Sequence, residues 1–228
     1  MQHRAVIAAV GLLLACAAPP TADSASATAW GYVKLIPKPG LPAAESGYSD
    51  RRLHGVQRFD YSHPSFAVVF APNAPAPPPS ARELAIEAGP NGARWSAPVS
   101  AIGVNDRLQV ANRTEAAQVI SAPQLAWLRE LAPGEAAELT PSAPGELRLH
   151  SLGSSAQSAL VWVAPGAFTL ASAAGRYELR ELPPGVIDLR AWHPRLPEAA
   201  APNRTIEAGA VVRIDLEIGV EQAAGREP

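Results

Sequence analysis

Residues 148–163 read RLHSLGSSAQSALVWV. A strand-like run, a short polar loop and a β-branched apolar run follow one another, which is the shape of a metal-holding loop. The loop contains no Cys and no Met, and His150 stands only at its border. The chain has five histidines: His3, His54, His63, His150 and His193. A metal site needs two or three imidazoles brought together, and no pair here has H-x-H or i, i+4 spacing. His54, His63, His150 and His193 could converge only through the fold. The second chemistry to weigh is nucleophilic catalysis. GYSDRR (47–52) and RFDYSHP (58–64) place Ser, Asp and His close in sequence. A triad is a spatial arrangement, however, and no G-x-S-x-G elbow precedes a helix. Glu178 and Glu181 flank no cleft that the sequence reveals and read as solvated. Neither catalysis nor a cofactor is expected.

The elements that must position these groups are short strands. The 24 prolines and 17 glycines are scattered without a repeat, which disfavours long helices and favours an all-β chain with many turns. A length of 228 residues suffices for a real core, as one large domain or two small ones. AWGYVKLIP (29–37) and SFAVVFAP (65–72) read as strands, and NAPAPPPSA (73–81) as a stiff connector and domain boundary. Short strands then follow at fairly regular spacing: 82–89, 93–103, 106–114, 117–123, 124–131, 135–141, 145–151 and 158–165. QLAWLREL (124–131) fits one or two helical turns as well, with Leu125, Leu128 and Leu131 on one side. Turns such as GPNG and APGE separate them, a pattern that suggests a β-sandwich. The section 166–220 repeats the strand-and-turn pattern. Its last run, VVRIDLEI, alternates Val212, Ile214, Leu216 and Ile218 against polar neighbours, as a half-buried strand does.

Between the first two strands lies a polar loop, 38–64, longer than structureless loops in compact domains usually are. It gathers Tyr48, Arg51, Arg52, Arg58, Phe59, Tyr61 and His63. Arginine and aromatic side chains are the types enriched at binding hot spots. This makes the segment the candidate partner surface, against the alternative that its aromatics fold over their own sandwich.

The ends of the chain bear on localisation. MQHR followed by AVIAAVGLLLA has the build of a signal peptide and is too short to span a bilayer. LLAC resembles a bacterial lipobox, which would make Cys16 the lipidated first residue of the mature protein. Cleavage after SASA (24–27) is the competing reading. Either way the mature chain has no thiol for a disulfide, a nucleophile or a thiolate ligand. Residues 17–28 read as a tether and 221–228 as a disordered tail. The expected location is the periplasm or the outer membrane. A formal net charge of −2 leaves no basic face for nucleic acid.

Two pieces resemble known modules. FTLASAAGRYELRELPPGVIDLRAWHP (168–194) resembles the carboxypeptidase regulatory-like domain, a transthyretin-like sandwich also classed with carbohydrate-binding-like folds. Gly175, Arg176, Tyr177, Leu182, Pro183, Pro184, Gly185, Trp192 and His193 match, and Ala174 replaces the usual Asp. GYVKL and FAVVF resemble the opening of the same module. Residues 82–164 resemble a cupredoxin: VNDRLQVANRTEAAQVIS (104–121) is similar to its ligand-bearing strand pair, and PGELRLHSLGSSAQSALVWV (144–163) to its closing copper loop. The combination resembles bacterial periplasmic proteins often called methylamine utilisation proteins. The resemblance implies an all-β chain of two β-sandwich units, a cupredoxin-like Greek key (82–164) inserted in a regulatory-like sandwich (29–72 and 166–220). It puts the Cys, His and Met ligand positions at Ser151, Ser154 and Gln157, and the first His at Ala117, or at Ala116 with a one-residue gap. A blue-copper site needs a thiolate, two imidazoles and a weak axial ligand. The stretch therefore reads as a copper loop with its ligands gone. An ordinary hairpin in an unrelated sandwich is the plain alternative.

The expected function is a non-enzymatic envelope or periplasmic binding or scaffold protein with a metal-free cupredoxin-like module. Its partner would be an unidentified protein or an envelope glycan, with the membrane reached through Cys16. The alternatives are a copper-handling or electron-transfer protein using a non-standard histidine site, and a carbohydrate- or peptidoglycan-binding module suggested by fold-level analogy.

Overall fold

The computed structural model describes residues 26–37, 64–154, 156 and 158–219. The candidate partner residues Tyr48, Arg51, Arg52, Arg58, Phe59, Tyr61 and His63 lie outside the described residues. So do Cys16, His54, Gln157 and the tail 221–228. The chain is all-β. Among the described residues two strands come first, β1 (Ala27–Ile36) and β2 (Val68–Ala71). After the proline-rich stretch come β3 (Ala81–Gly89), β4 (Gly92–Trp95), β5 (Val99–Gly103), β6 (Arg107–Arg113), β7 (Gln118–Ala122), β8 (Trp127–Leu131), β9 (Ala136–Leu139), β10 (Gly145–Leu152) and β11 (Ala159–Ala164). The remaining strands are β12 (Ala167–Leu170), β13 (Arg176–Leu182), β14 (Gly185–Ile187), β15 (Arg190–His193), β16 (Leu196–Ala200), β17 (Arg204–Ile206), β18 (Val211–Arg213) and β19 (Leu216–Gly219).

β1 buries Ala27, Ala29, Val33 and Leu35 and turns Tyr32 and Lys34 outward, the period-2 pattern of a strand covered on one face. It runs antiparallel to β13 and parallel to β18 and β19. β2 sits between β12 and β15, with β16 beyond, and β14 pairs with β17. One apolar core joins β1 and β2 to the C-terminal strands through Val33, Leu35, Val69, Tyr177, Leu179 and Ile218. Residues 81–164 form two other sheets, ordered β4-β3-β6-β9 and β5-β11-β10-β7-β8. Most pairs are antiparallel, but β3 runs parallel to β6 and β5 parallel to β11. Their separate core includes Leu84, Ile86, Ile102, Leu108, Ile120, Leu149 and Val161.

A small third cluster joins the two cores. β2 is buried on both faces: Val69 faces the first core, while Val68 and Phe70 face this cluster with Trp192, Ala101 and Leu160. Trp162 packs against it and stacks on Trp192.

Several elements differ from the sequence reading. The tether expected through 28 ends earlier, because Ala27 pairs with Leu182 and the Thr28 N–H donates to Ala210 O. The run 93–103 is two strands in different sheets. Proline has no N–H for a ladder, and at Pro98 the chain crosses from one sheet to the other. Residues 124–131 begin with one 3-10 turn, Pro123–Leu125, that ends at Ala126 with φ 50. They continue as β8, where Leu131 is buried and Leu128 exposed, so the three leucines share no face. The run 211–218 keeps its alternation but breaks at Ile214 and Asp215. There the Asp215 carboxylate, instead of a backbone carbonyl, accepts the Tyr32 N–H at 3.0 Å.

Candidate functional site

β10 carries Leu147, Leu149 and Ser151 on its core-facing side, and β7 carries Gln118, Ile120 and Ala122 on its own. The two strands pair antiparallel, with Ser151 opposite Ile120. Apolar alternation therefore continues to the end of both strands, where it delivers a hydroxyl and an amide into a buried position. Ser151 is 8% exposed and Gln118 7%. Groups so placed must find hydrogen-bond partners inside the protein.

They find them in one directional chain. The Ala156 N–H donates to Ser154 Oγ at 3.2 Å, and the Ser154 hydroxyl to Ser151 Oγ at 2.8 Å. Ser151 donates to Gln118 Oε1 at 2.9 Å, and Gln118 Nε2 to Thr114 Oγ1 at 3.1 Å. Thr114 donates to Asn112 Oδ1 at 2.7 Å. Asn112 Nδ2 ends the chain on two backbone carbonyls, Ala116 at 2.8 Å and Leu131 at 2.9 Å. The two serine hydroxyls each accept one bond and donate the next, while the Thr114 hydroxyl has a second acceptor within reach, Ala116 O at 2.9 Å. The amide orientations of Gln118 and Asn112 agree with that direction, and aligned bonds of this kind polarise one another.

Of the positions expected for copper ligands, the fold brings Ser151 and Ser154 together. Ala117 is exposed. Its neighbour Gln118 is the residue whose side chain reaches Ser151. A one-residue step along a strand reverses the facing side. Gln118, Thr114 and Asn112 were missed in the sequence reading. Two signals were legible: a glutamine at an inward position of AQVISA, and Asn-x-Thr, whose short polar side chains bond local backbone. The Thr114 N–H does donate to Asn112 Oδ1 at 2.9 Å.

The donor set does not fit copper. It offers two hydroxyls and an amide where a thiolate and two imidazoles are needed. Among the described residues no group of three His, Cys, Asp or Glu side chains could hold a metal ion. His150 is half-buried on β10, opposite Ser121. His193 ends β15 in a different sheet, 4% exposed, where its Nδ1 accepts the Arg195 N–H at 3.2 Å. Burial, with the nearby Arg195 charge, pushes its pKa down to about 4. Glu178 is ion-paired with Arg180 at 2.6 Å. That bond holds its carboxyl below the usual range.

No family model and no curated protein matches the chain. Among solved structures it is similar to the purple cupredoxin from Nitrosopumilus maritimus, at 14% identity and a TM-score of 0.31, over 36% of this chain and 98% of that one. A reduced mutant of amicyanin is similar at 15% identity and a TM-score of 0.31, over 43% of this chain and 98% of that one. A chain from the structure of a heme-copper terminal oxidase dimer gives 12% identity and a TM-score of 0.30, over 38% of this chain and 65% of that one.

Proposed function

We propose that this chain is a non-enzymatic binding or scaffold protein of the bacterial envelope, in which a cupredoxin-like module carries a hydrogen-bonded lock where that family holds copper. The observation behind this reading is the Ser154–Ser151–Gln118 chain, in which hydroxyls and an amide at these positions bond to one another. In this reading the module is joined to a carboxypeptidase regulatory-like sandwich, the combination of the methylamine utilisation type. The signal-like N-terminus exports the protein, Cys16 anchors it through lipid, and residues 48–63 meet a protein or an envelope glycan.

Copper titration is the test. The purified mature chain is expected to give no intense blue absorption with Cu(II), because that band requires a thiolate. It is also expected to give no thermal shift at stoichiometric copper. A ligand bound to the native state alone stabilises it by about 2.7 kcal/mol at a hundredfold excess over its dissociation constant. A shift of that size, lost when any one of His54, His63, His150 or His193 is substituted, would establish a histidine copper site and overturn the proposal. Labelled palmitate tests the anchor separately: incorporation should vanish in Cys16→Ser.

A further inference from the structure

The outer face of the sheet β5-β11-β10-β7-β8 is covered on one side and open on the other. At β5 and β11 it packs, through Ala101, Leu160 and Trp162, against Val68, Phe70 and Trp192 of β2 and β15. On β10, β7 and β8 the apolar character continues in the open: Leu152 is 52% exposed, Leu128 54%, and Val119 is half-buried.

Register places these residues together. His150, Ser121 and Leu128 form one row across the three strands, and Leu152, Val119 and Glu130 the next. All six point away from the core, because their strand neighbours Leu149, Ser151, Ile120, Ala122 and Leu131 are the buried set. Val119 lies directly beside Leu152 and diagonally from Leu128, spacings that such side chains bridge. Exposed leucines scattered singly are ordinary, but a contiguous patch running on from an apolar interface marks an interaction surface. The edge of β8 is blunted: Arg129 donates to Leu128 O at 2.7 Å and lies over the Trp127 ring. The open surface is therefore the face and not the edge.

Two opposite charges frame the patch at its corners. Glu130 ends the second row on β8, exposed and without an ion pair among the described residues. Arg148 stands on β10, one step before His150 on the same face, and touches Glu146 at 3.2 Å in an exposed pair of the kind that contributes little. From strand spacing the two corners are roughly 17 Å apart. A twofold axis lying in the face through Ser121, square to the line between them, runs close to both Leu152 and Leu128. It lays the Arg148 corner of one copy on the Glu130 corner of the other. The face is thus complementary to itself in charge, as an isologous interface must be.

We propose that this face is a self-association surface: a second copy of the chain packs on it about a twofold axis, with Leu128, Val119 and Leu152 at the centre and Arg148 of each copy on the partner subunit's Glu130. The proposal is independent of the copper and lipid readings. A face three strands wide falls in the small, transient class of interfaces, so the dimer forms at high concentration. Sedimentation of the purified mature chain at concentrations up to about 1 mM should show a reversible monomer–dimer equilibrium. Leu128→Asp, at an exposed position, should abolish it. Glu130→Arg and Arg148→Glu should each weaken it at least about tenfold, since each sets like charges against one another twice. Combining the two substitutions in one chain should restore the dimer, and so should mixing the two single variants, whose copies then meet with opposite charges. That rescue also shows that the single variants fold. A chain that stays monomeric throughout the range, a dimer indifferent to Leu128→Asp, or charge reversals that neither combination rescues would overturn the proposal.

Discussion

The indoles of Trp162 and Trp192 stack with their centroids 4.5 Å apart and their planes 15° from parallel. Trp162 belongs to β11 and Trp192 to β15, so the stack bridges two sets of sheets whose main cores do not touch through these residues. Phe70 adds a tilted contact to Trp162 at 5.8 Å. Truncating a large buried aromatic is destabilising by about 3–5 kcal/mol. Here much of that loss falls on the coupling between the two halves. Calorimetry should show one transition for the native protein and two for Trp192→Ala. A single transition in the variant would mean that the connectors, not the stack, couple the halves.

The Ser151–Gln118 bond predicts non-additivity. Ser151→Ala leaves Gln118 Oε1 buried without its donor and Ser154 without its acceptor. The expected loss is about 1–3 kcal/mol. Gln118→Ala should lose a similar amount, and the double variant less than the sum of the two, because neighbours in one network couple. Urea unfolding of the four proteins measures the coupling. Additive losses would mean that the two side chains are held independently.

His193 makes stability depend on pH in a defined window. Its folded pKa of about 4 lies below the ordinary value of 6.5. Between those values the unfolded chain binds a proton that the folded chain refuses. Stability contributed by the neutral ring is therefore complete above about pH 6.5 and declines as pH falls toward 4, by up to about 2–3 kcal/mol. Unfolding free energies measured from pH 7 to pH 4 in the native protein and in His193→Gln should converge toward the acid end. A slope in this window that persists in the variant would assign the effect to other groups.

Gly31 predicts a steric limit. A Cβ at this position would lie 2.0 Å from the Ile214 carbonyl oxygen, a backbone atom that cannot move away cheaply. That carbonyl also accepts the buried Tyr177 hydroxyl, and the Ile214 N–H donates to Trp30 O at 2.8 Å. Gly31→Ala should be destabilising by more than about 2 kcal/mol, as overpacking against fixed backbone is. Tyr177→Phe, which removes one hydrogen bond, should lose only about 1 kcal/mol. Equal thermal shifts for the two would contradict this ordering.

The alternation of apolar and polar residues determined most strands by itself. In the last run it marks Val212, Ile214, Leu216 and Ile218 as one face, of which Ile214, Leu216 and Ile218 are buried and Val212 partly so, because side chains on a strand alternate whatever the strand pairs with. The missing copper donors were equally legible, since a chain whose one cysteine stands at position 16 has no thiolate to place in a loop at 151–157. Pairing was not legible in the same way. Local pattern does not record which strand lies beside which, so the split of 93–103 between two sheets and the break at Ile214 depend on neighbours remote in sequence. The same is true of the candidate site. Ser151 and Gln118 are 33 positions apart, and a shift of one residue decides whether Ala117 or Gln118 faces the core. Only the register of β7 against β10 makes that choice. Once it is made, the energetic penalty on unpaired buried groups requires Thr114 and Asn112 to complete the chain.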